Sequence, residues 1–214
     1  NFIQQQQGLT FRRNEVDFDI IHINHKPIGE MVLQLYPNTP AVMHVHSEVI
    51  PYYEEPIIHP QIKKYLSIRD TVTEYIKSFG VDEKNIEIVH NPFDITRFNT
   101  NYNVKPQEKE SILFIGTIDN LRRNILFDLK EITRNEGKEL WIIGADSLGY
   151  LKDLTNEDHV KYFGLKDKPE EYIKKCTYTA GIFKGRSTIE GWLCGKAGYI
   201  YDVDKQGNII SKVF

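Results

Sequence analysis

Short apolar runs rich in Ile and Val alternate with segments of helical period along most of the chain. The runs Asp17–Ile23, Ala41–Val45, Tyr65–Ile68 and Ile86–Val89 predict strands in the first half. Ile112–Ile115, Leu140–Ile143, Val160–Phe163, Tyr178–Phe183 and Tyr199–Val203 predict strands in the second. Their apolar character is continuous rather than alternating, which suits strands covered on both faces, as in a parallel sheet. Helix signals lie between them. Asp70–Phe79 runs up to Gly80, a C-cap residue, and Asn124–Arg134 gathers Ile125, Leu126, Leu129 and Ile132 on one side. Pro169 opens Glu170–Lys175, and Ser187 or Thr188 caps a helix that runs to Gly195. Strands alternating with helices predict an α/β fold with parallel sheets.

The pattern breaks once. Between Phe98 and Ser111 the stretch NTNYNVKPQEKE is polar, contains a proline and has no period. It predicts a linker between two α/β lobes, 1–103 and 104–214, each long enough for a small core. The cleft between such lobes is the default ligand site. The glutamines Gln4–Gln7 read as a solvated helix face.

Composition narrows the functional classes. The 27 basic and 30 acidic residues give a net charge of −3, so no chain-wide basic field attracts nucleic acid. Cys176 and Cys194 form no cysteine framework, which predicts a reducing, cytoplasmic setting. No apolar run approaches the roughly eighteen residues of a membrane span, which leaves peripheral membrane contact open. The opening NFIQQQQGLTFRRNE has neither a signal peptide's apolar stretch nor a starting Met, so the chain reads as an excised or processed piece.

Candidate chemistry concentrates in three places. Six of seven histidines precede residue 91, among them His22, His25, His44 and His46. On a strand, His44 and His46 share one face. A metal site there is disfavoured, since no cysteine is near and Glu48 is the only acidic neighbour. A polar cleft lining is expected instead, because parallel strands deliver their carboxyl ends to the ligand crevice. In the second half, SILFIGTIDNLRRN places Gly116 after a strand, with Arg122 and Arg123 ahead of a helix. Forked guanidinium donors suit phosphate oxygens, though adjacent arginines also suit a solvated helix start. Leu140–Gly144 repeats the strand-then-glycine design, and neither is a Walker or dinucleotide fingerprint. The third place is the loop Lys184-Gly185-Arg186-Ser187-Thr188, followed by a helix carrying Glu190. Amides at a helix N-terminus beside Lys184 and Arg186 suit a diphosphate, and Glu190 can accept from ribose hydroxyls. An ordinary capped helix start accounts for part of the same pattern.

Taken in order, these pieces resemble a GT-B glycosyltransferase, specifically glycosyltransferase family four. DFDIIHINH is similar to the family's first-lobe D-I-I-H strand and TPAVMHVHSE to its P-V-V-x-x-x-H strand. The segment YLSIRDTVTEYIKSFGVDEKNIEIVHNPFDITRF resembles one ending in N-G-V-D-x-x-x-F, with Asn91, Asp94 and Phe98 in place and Pro92 for the glycine. ILFIGTIDNLRR, HVKYFGLKDKPEEYIKKC and GRSTIEGWLCGKAGYIYD resemble its second-lobe strand opening, V-x-F-x-G segment and E-A-M-A-C-G helix.

The resemblance implies two Rossmann-like lobes and a retaining transfer from a nucleotide-sugar donor to a glycan or lipid-linked acceptor, with no metal and no other cofactor. It places the family's active-site histidine on His46 and its phosphate-binding lysine on Arg122. Its phosphate-binding arginine falls on Thr117 and its ribose-binding glutamate on Glu190. Gly116, Lys184, Gly185, Arg186, Ser187 and Thr188 complete the expected donor site. The family's other glutamate falls on Ile182. That loss, with Thr117, also supports a non-catalytic nucleotide-sugar or glycan-binding module, or a partner subunit. A nucleotide-sugar epimerase is the third reading. The family's first glycine-rich loop and closing helix are expected outside the chain, making the first lobe incomplete.

Overall fold

The computed structural model describes residues 17–50, 52–104 and 107–214. Gln4–Gln7 lie outside the described residues. The chain divides into two compact units between Asn91 and Pro92.

The first unit contains β1 (Ile21–Ile23), α1 (Lys26–Leu35), β2 (Ala41–Val45), β3 (Ile62–Ser67), α2 (Asp70–Ser78) and β4 (Ile86–Ile88). The four strands pair in sequence order and all are parallel. Ala41, Met43 and Val45 of β2 are buried against Ile23, Leu33, Val72 and Ile76. Val42 and His44 between them are only partly covered, so β2 alternates instead of being covered on both faces as expected. The strand expected over Asp17–Ile23 is confined to Ile21–Ile23. Helix α1 carries Pro27 at its start, where a missing N–H leaves no bond unmade. Its Lys26 amide donates to the Tyr53 carbonyl, tying α1 to the loop after β2. Helix α2 ends as expected, with Gly80 at φ 86° donating its amide to the Lys77 carbonyl.

The second unit contains β5 (Ser111–Ile115), α3 (Asn120–Asn135), β6 (Glu139–Ile143), α4 (Leu151–Leu154), β7 (Val160–Tyr162) and α5 (Glu170–Lys175). It continues with β8 (Tyr178–Ile182), α6 (Arg186–Leu193), β9 (Gly198–Val203) and β10 (Ile209–Val213). The six-stranded sheet has the order β10-β9-β8-β5-β6-β7, parallel except for the antiparallel edge strand β10. Side-chain alternation sorts β5 and β6 between two cores. Ile112, Phe114, Leu140 and Ile142 meet Ile125, Leu126 and Leu129 of α3 on one face. Leu113, Trp141 and Ile143 meet Ile173, Cys176 and Cys194 on the other. The continuous apolar runs thus follow from coverage on both faces. Full burial of each such side chain contributes about 1.5–3 kcal/mol.

The expected linker is a correction. Phe98 is 3% exposed in the core with Leu113 and Trp141, and the Tyr102 hydroxyl donates to the Cys194 carbonyl at 2.8 Å. These aromatic anchors bind Phe98–Tyr102 to the second sheet, which moves the division from 103/104 to 91/92.

In the second sheet the chain runs from β5 outward through β6 to β7, then returns to β8 on the other side of β5. This reversal makes the carboxyl ends of β5 and β8 a switch point, where open α/β sheets form a crevice.

Candidate functional site

At that switch point lies a recess of about 290 Å³. The end of β5 contributes Phe114, Ile115 and Gly116, the start of α3 contributes Arg122, and the end of β8 contributes Gly181 and Ile182. The turn into α6 and its first residues contribute Gly185, Arg186, Ser187 and Glu190. Six of the nine donor-site residues expected from sequence therefore line one recess: Gly116, Arg122, Gly185, Arg186, Ser187 and Glu190.

The other three do not line it. Thr117 and Lys184 are exposed beside it. Thr188 is buried beneath it and its hydroxyl donates back to the Phe183 carbonyl at 3.3 Å. That bond corrects the expected cap. Gly185 is the N-cap of α6, without a side-chain cap, so Ser187 and Thr188 lie inside the first turn. Arg122 and Arg123 are likewise inside the first turn of α3, not ahead of it. The N-cap there is Asp119, whose carboxylate accepts the Arg122 amide at 3.1 Å. Asp119 also pairs with the Arg122 guanidinium at 2.5 Å, fixing that side chain at the rim. Sequence reasoning missed Asp119, although an Asp before an amphipathic run is an available N-cap signal.

The loops after β5 and β6 are held together by backbone contact. The Gly116 amide donates to the Ile143 carbonyl and the Ile118 amide to the Ala145 carbonyl. Gly144 has φ 152°, and a Cβ there would stand 1.8 Å from the Gly116 carbonyl oxygen. Only glycine fits. Helix α6 lies equally close to β8, since a Cβ on Gly191 would stand 2.5 Å from Thr179 Oγ1. This close approach lets α6 present Arg186 and Glu190 at the end of β8. Arg186 Nε donates to Glu190 Oε1 at 2.8 Å, one turn along the helix.

In the first unit the histidines gather on one face. The His22 and His44 rings are stacked with centroids 5.8 Å apart, and His44 and His46 lie 4.1 Å apart. His46 Nε2 is 3.4 Å from Asn24 Oδ1. Burial lowers the His46 pKa below its usual value, with His25 and His22 adding to the effect against the pull of Glu54. His44 is pushed down to about 4 by burial and by His46 and His22. Both rings are therefore held neutral near neutral pH. His44 Nε2 is buried with no hydrogen-bond partner among the described residues.

Glu54, missed from sequence, organises this face. Its buried carboxylate accepts the His46 amide at 2.8 Å and stands 3.3 Å from His25 Nδ1. Nothing local in the run YYEE distinguishes Glu54 from the paired, half-buried Glu55. Among the described residues, no group of three or more His, Cys, Asp or Glu is arranged to hold a metal ion. No helix among them is long and apolar enough to cross a membrane.

The fold is the Rossmann-like α/β fold found in GT-B glycosyltransferases. Among solved structures, the chain is similar to Anabaena HepE in complex with UDP-glucose. The TM-score is 0.67 at 15% identity, over 84% of this chain and 58% of that one. The lipopolysaccharide outer core galactosyltransferase WaaB gives a TM-score of 0.59 at 20% identity, over 86% and 56% of the two chains. A curated relative is the Campylobacter jejuni N-acetylgalactosamine-N,N'-diacetylbacillosaminyl-diphospho-undecaprenol 4-alpha-N-acetylgalactosaminyltransferase, 20% identical over 88% of this chain. The chain spans 58% of that relative's length. No family model matches the chain.

Proposed function

We propose that the chain serves a retaining glycosyltransferase that moves a sugar from a nucleotide-sugar donor to a glycan or lipid-linked acceptor. The recess at the switch point carries this reading. It combines a guanidinium at the rim, the start of α6 without a side-chain cap on its amides, the Ser187 hydroxyl and the carboxylate of Glu190. In this reading Arg122 and the α6 amides bind the diphosphate and stabilise it as it leaves, with no metal required. Glu190 accepts from the ribose hydroxyls. His46, kept neutral by burial, is assigned in this reading to the sugar undergoing transfer. The UDP-glucose bound by HepE supports uridine as the base, and the diphospho-undecaprenol named for the Campylobacter relative supports a lipid-linked acceptor. The reading places the protein in the cytoplasm, in peripheral contact with a membrane that holds a lipid-linked acceptor.

Titration with UDP tests the donor site. At about a hundredfold above Kd, binding should stabilise the second unit by roughly 2.7 kcal/mol. No shift in melting temperature at millimolar UDP, GDP or ADP overturns the reading. Glu190→Ala should weaken UDP binding. Ile182 at the recess wall and Thr117 outside it favour a second reading, a binding module without turnover. Nucleotide binding with no transfer or donor hydrolysis, in this chain and in a longer parent, selects that reading.

A further inference from the structure

Glu190 is the single carboxylate among the residues lining the recess, and its side chain is only 8% exposed. Its hydrogen-bond partner is Arg186, whose side chain is 64% exposed, and the Arg97 guanidinium also acts on it electrostatically. Among the described residues, Glu190 Oε2 accepts no hydrogen bond and the terminal nitrogens of Arg186 donate none. The pair also runs against helix electrostatics. A cation at the first helical position opposes the positive end of the dipole, and an (i, i+4) pair is better with the acid on the N-terminal side. Helix stability therefore does not account for this order of charges. What the order provides is a donor that reaches one oxygen of a nearly buried carboxylate and leaves the other oxygen available.

We propose that Arg186 is a positioning residue: its Nε holds Glu190 so that Oε2 meets the ribose hydroxyls, and Arg186 is not itself a phosphate ligand. The inference rests on the nucleotide-sugar reading above and assigns within it a division of work. Phosphate recognition falls to Arg122 and the α6 amides, and ribose recognition to the Arg186–Glu190 pair.

The test is a binding cycle with two probes, UDP and 2′,3′-dideoxyuridine diphosphate, which share base and diphosphate and differ in the ribose hydroxyls. The unsubstituted chain, Arg186→Met, Glu190→Ala and the double variant are titrated with each. Tryptophan fluorescence, from Trp141 and Trp192, verifies that the second unit is folded. Arg186→Met should weaken UDP binding about tenfold, as expected for a lost charge-assisted hydrogen bond. It should leave the dideoxy probe unchanged and add nothing once Glu190 is Ala. Equal weakening of both probes, or a further loss on top of Glu190→Ala, overturns the inference and makes Arg186 a phosphate ligand. If the unsubstituted chain binds neither probe, the nucleotide reading itself fails and the inference with it. That outcome differs from normal binding of UDP unaffected by Arg186→Met, which overturns the inference alone.

Discussion

The approach of α6 to β8 makes a quantitative demand on residue 191. A Cβ on Gly191 would stand 2.5 Å from Thr179 Oγ1, 2.8 Å from its Cγ2 and 3.1 Å from its Cβ. Ordinary carbon contacts lie at about 3.5–4.0 Å, so α6 would have to retreat by roughly 1 Å. Thr179 cannot give way easily, because it is 2% exposed on a strand paired with Gly198 of β9. Overpacking of this kind costs about 1–3 kcal/mol. The gain in helix propensity from Gly to Ala offsets about 1 kcal/mol. Three short contacts on a constrained partner argue for the upper end, giving a net loss of about 2 kcal/mol for Gly191→Ala. Both tryptophans, Trp141 and Trp192, belong to the second unit, so urea unfolding followed by tryptophan fluorescence reports that unit alone. The decisive measurement is a double-mutant cycle with Thr179→Ala, which removes the two nearest atoms. Most of the Gly191→Ala loss should disappear in that background, a coupling of about 1–2 kcal/mol. A loss below about 0.5 kcal/mol, or one unchanged by Thr179→Ala, refutes the close-packing argument.

The remaining predictions concern pH, the division between units, capping and metal. His44 has its pKa lowered to about 4 in the folded chain, against about 6.5 when unfolded, so below pH 6.5 the unfolded state binds the proton more readily. Stability of the first unit should therefore fall as pH drops from about 6.5 towards 4. After discounting for partial solvent screening, the loss is about 1–2 kcal/mol, and His44→Gln should flatten the curve in urea titrations followed by circular dichroism. Phe98→Ala should destabilise the second unit by about 3 kcal/mol in the fluorescence assay, whereas a solvated linker residue would change it by less than about 0.5 kcal/mol. Asp119→Ala should cost about 1 kcal/mol through loss of the α3 cap, and Asp119→Asn should retain most of it. Under the proposed mechanism, treatment with EDTA should leave transfer activity unchanged. Abolished activity restored by a divalent cation would contradict the metal-free mechanism.

How much of this was legible depended on whether a local pattern had a single structural outcome. Strands β5 and β6 were clear because four successive side chains in each are buried, on alternate faces, which writes an almost uninterrupted apolar run. Helix α1 was not, because its buried residues are Pro27, Gly29 and Leu33, two of which usually interrupt helices. Strand β10 escaped notice for a related reason. Its residues are exposed or half-exposed, and a parallel-sheet pattern gives no cue for an antiparallel edge. The polar composition around Tyr102 masked aromatic anchors that only tertiary packing reveals.

The recess was legible as a set of residue types and less so as an arrangement. Glycines after strands and basic residues near helix starts carry their own chemical reasons, and Gly116, Arg122 and Gly185 line one recess. Thr188 turned inward because its hydroxyl reaches back to Phe183, a choice that depends on the φ of 50° at Phe183. Glu54 depended on a loop returning to the end of β2, and no local signal specifies such a return.

The fused loops after β5 and β6 have a consequence for how this recess can diversify. With a φ of 152° and its place pressed against the Gly116 carbonyl, Gly144 accepts no side chain, and the backbone of that wall is closed to gradual change there. Variation in what the recess admits must then come through positions whose side chains line it, such as Arg122, Ile182 and Arg186. A descendant with a new ligand preference would be expected to keep Gly144 and differ at those three residues, so the rigid wall confines exploration to a small set of codons.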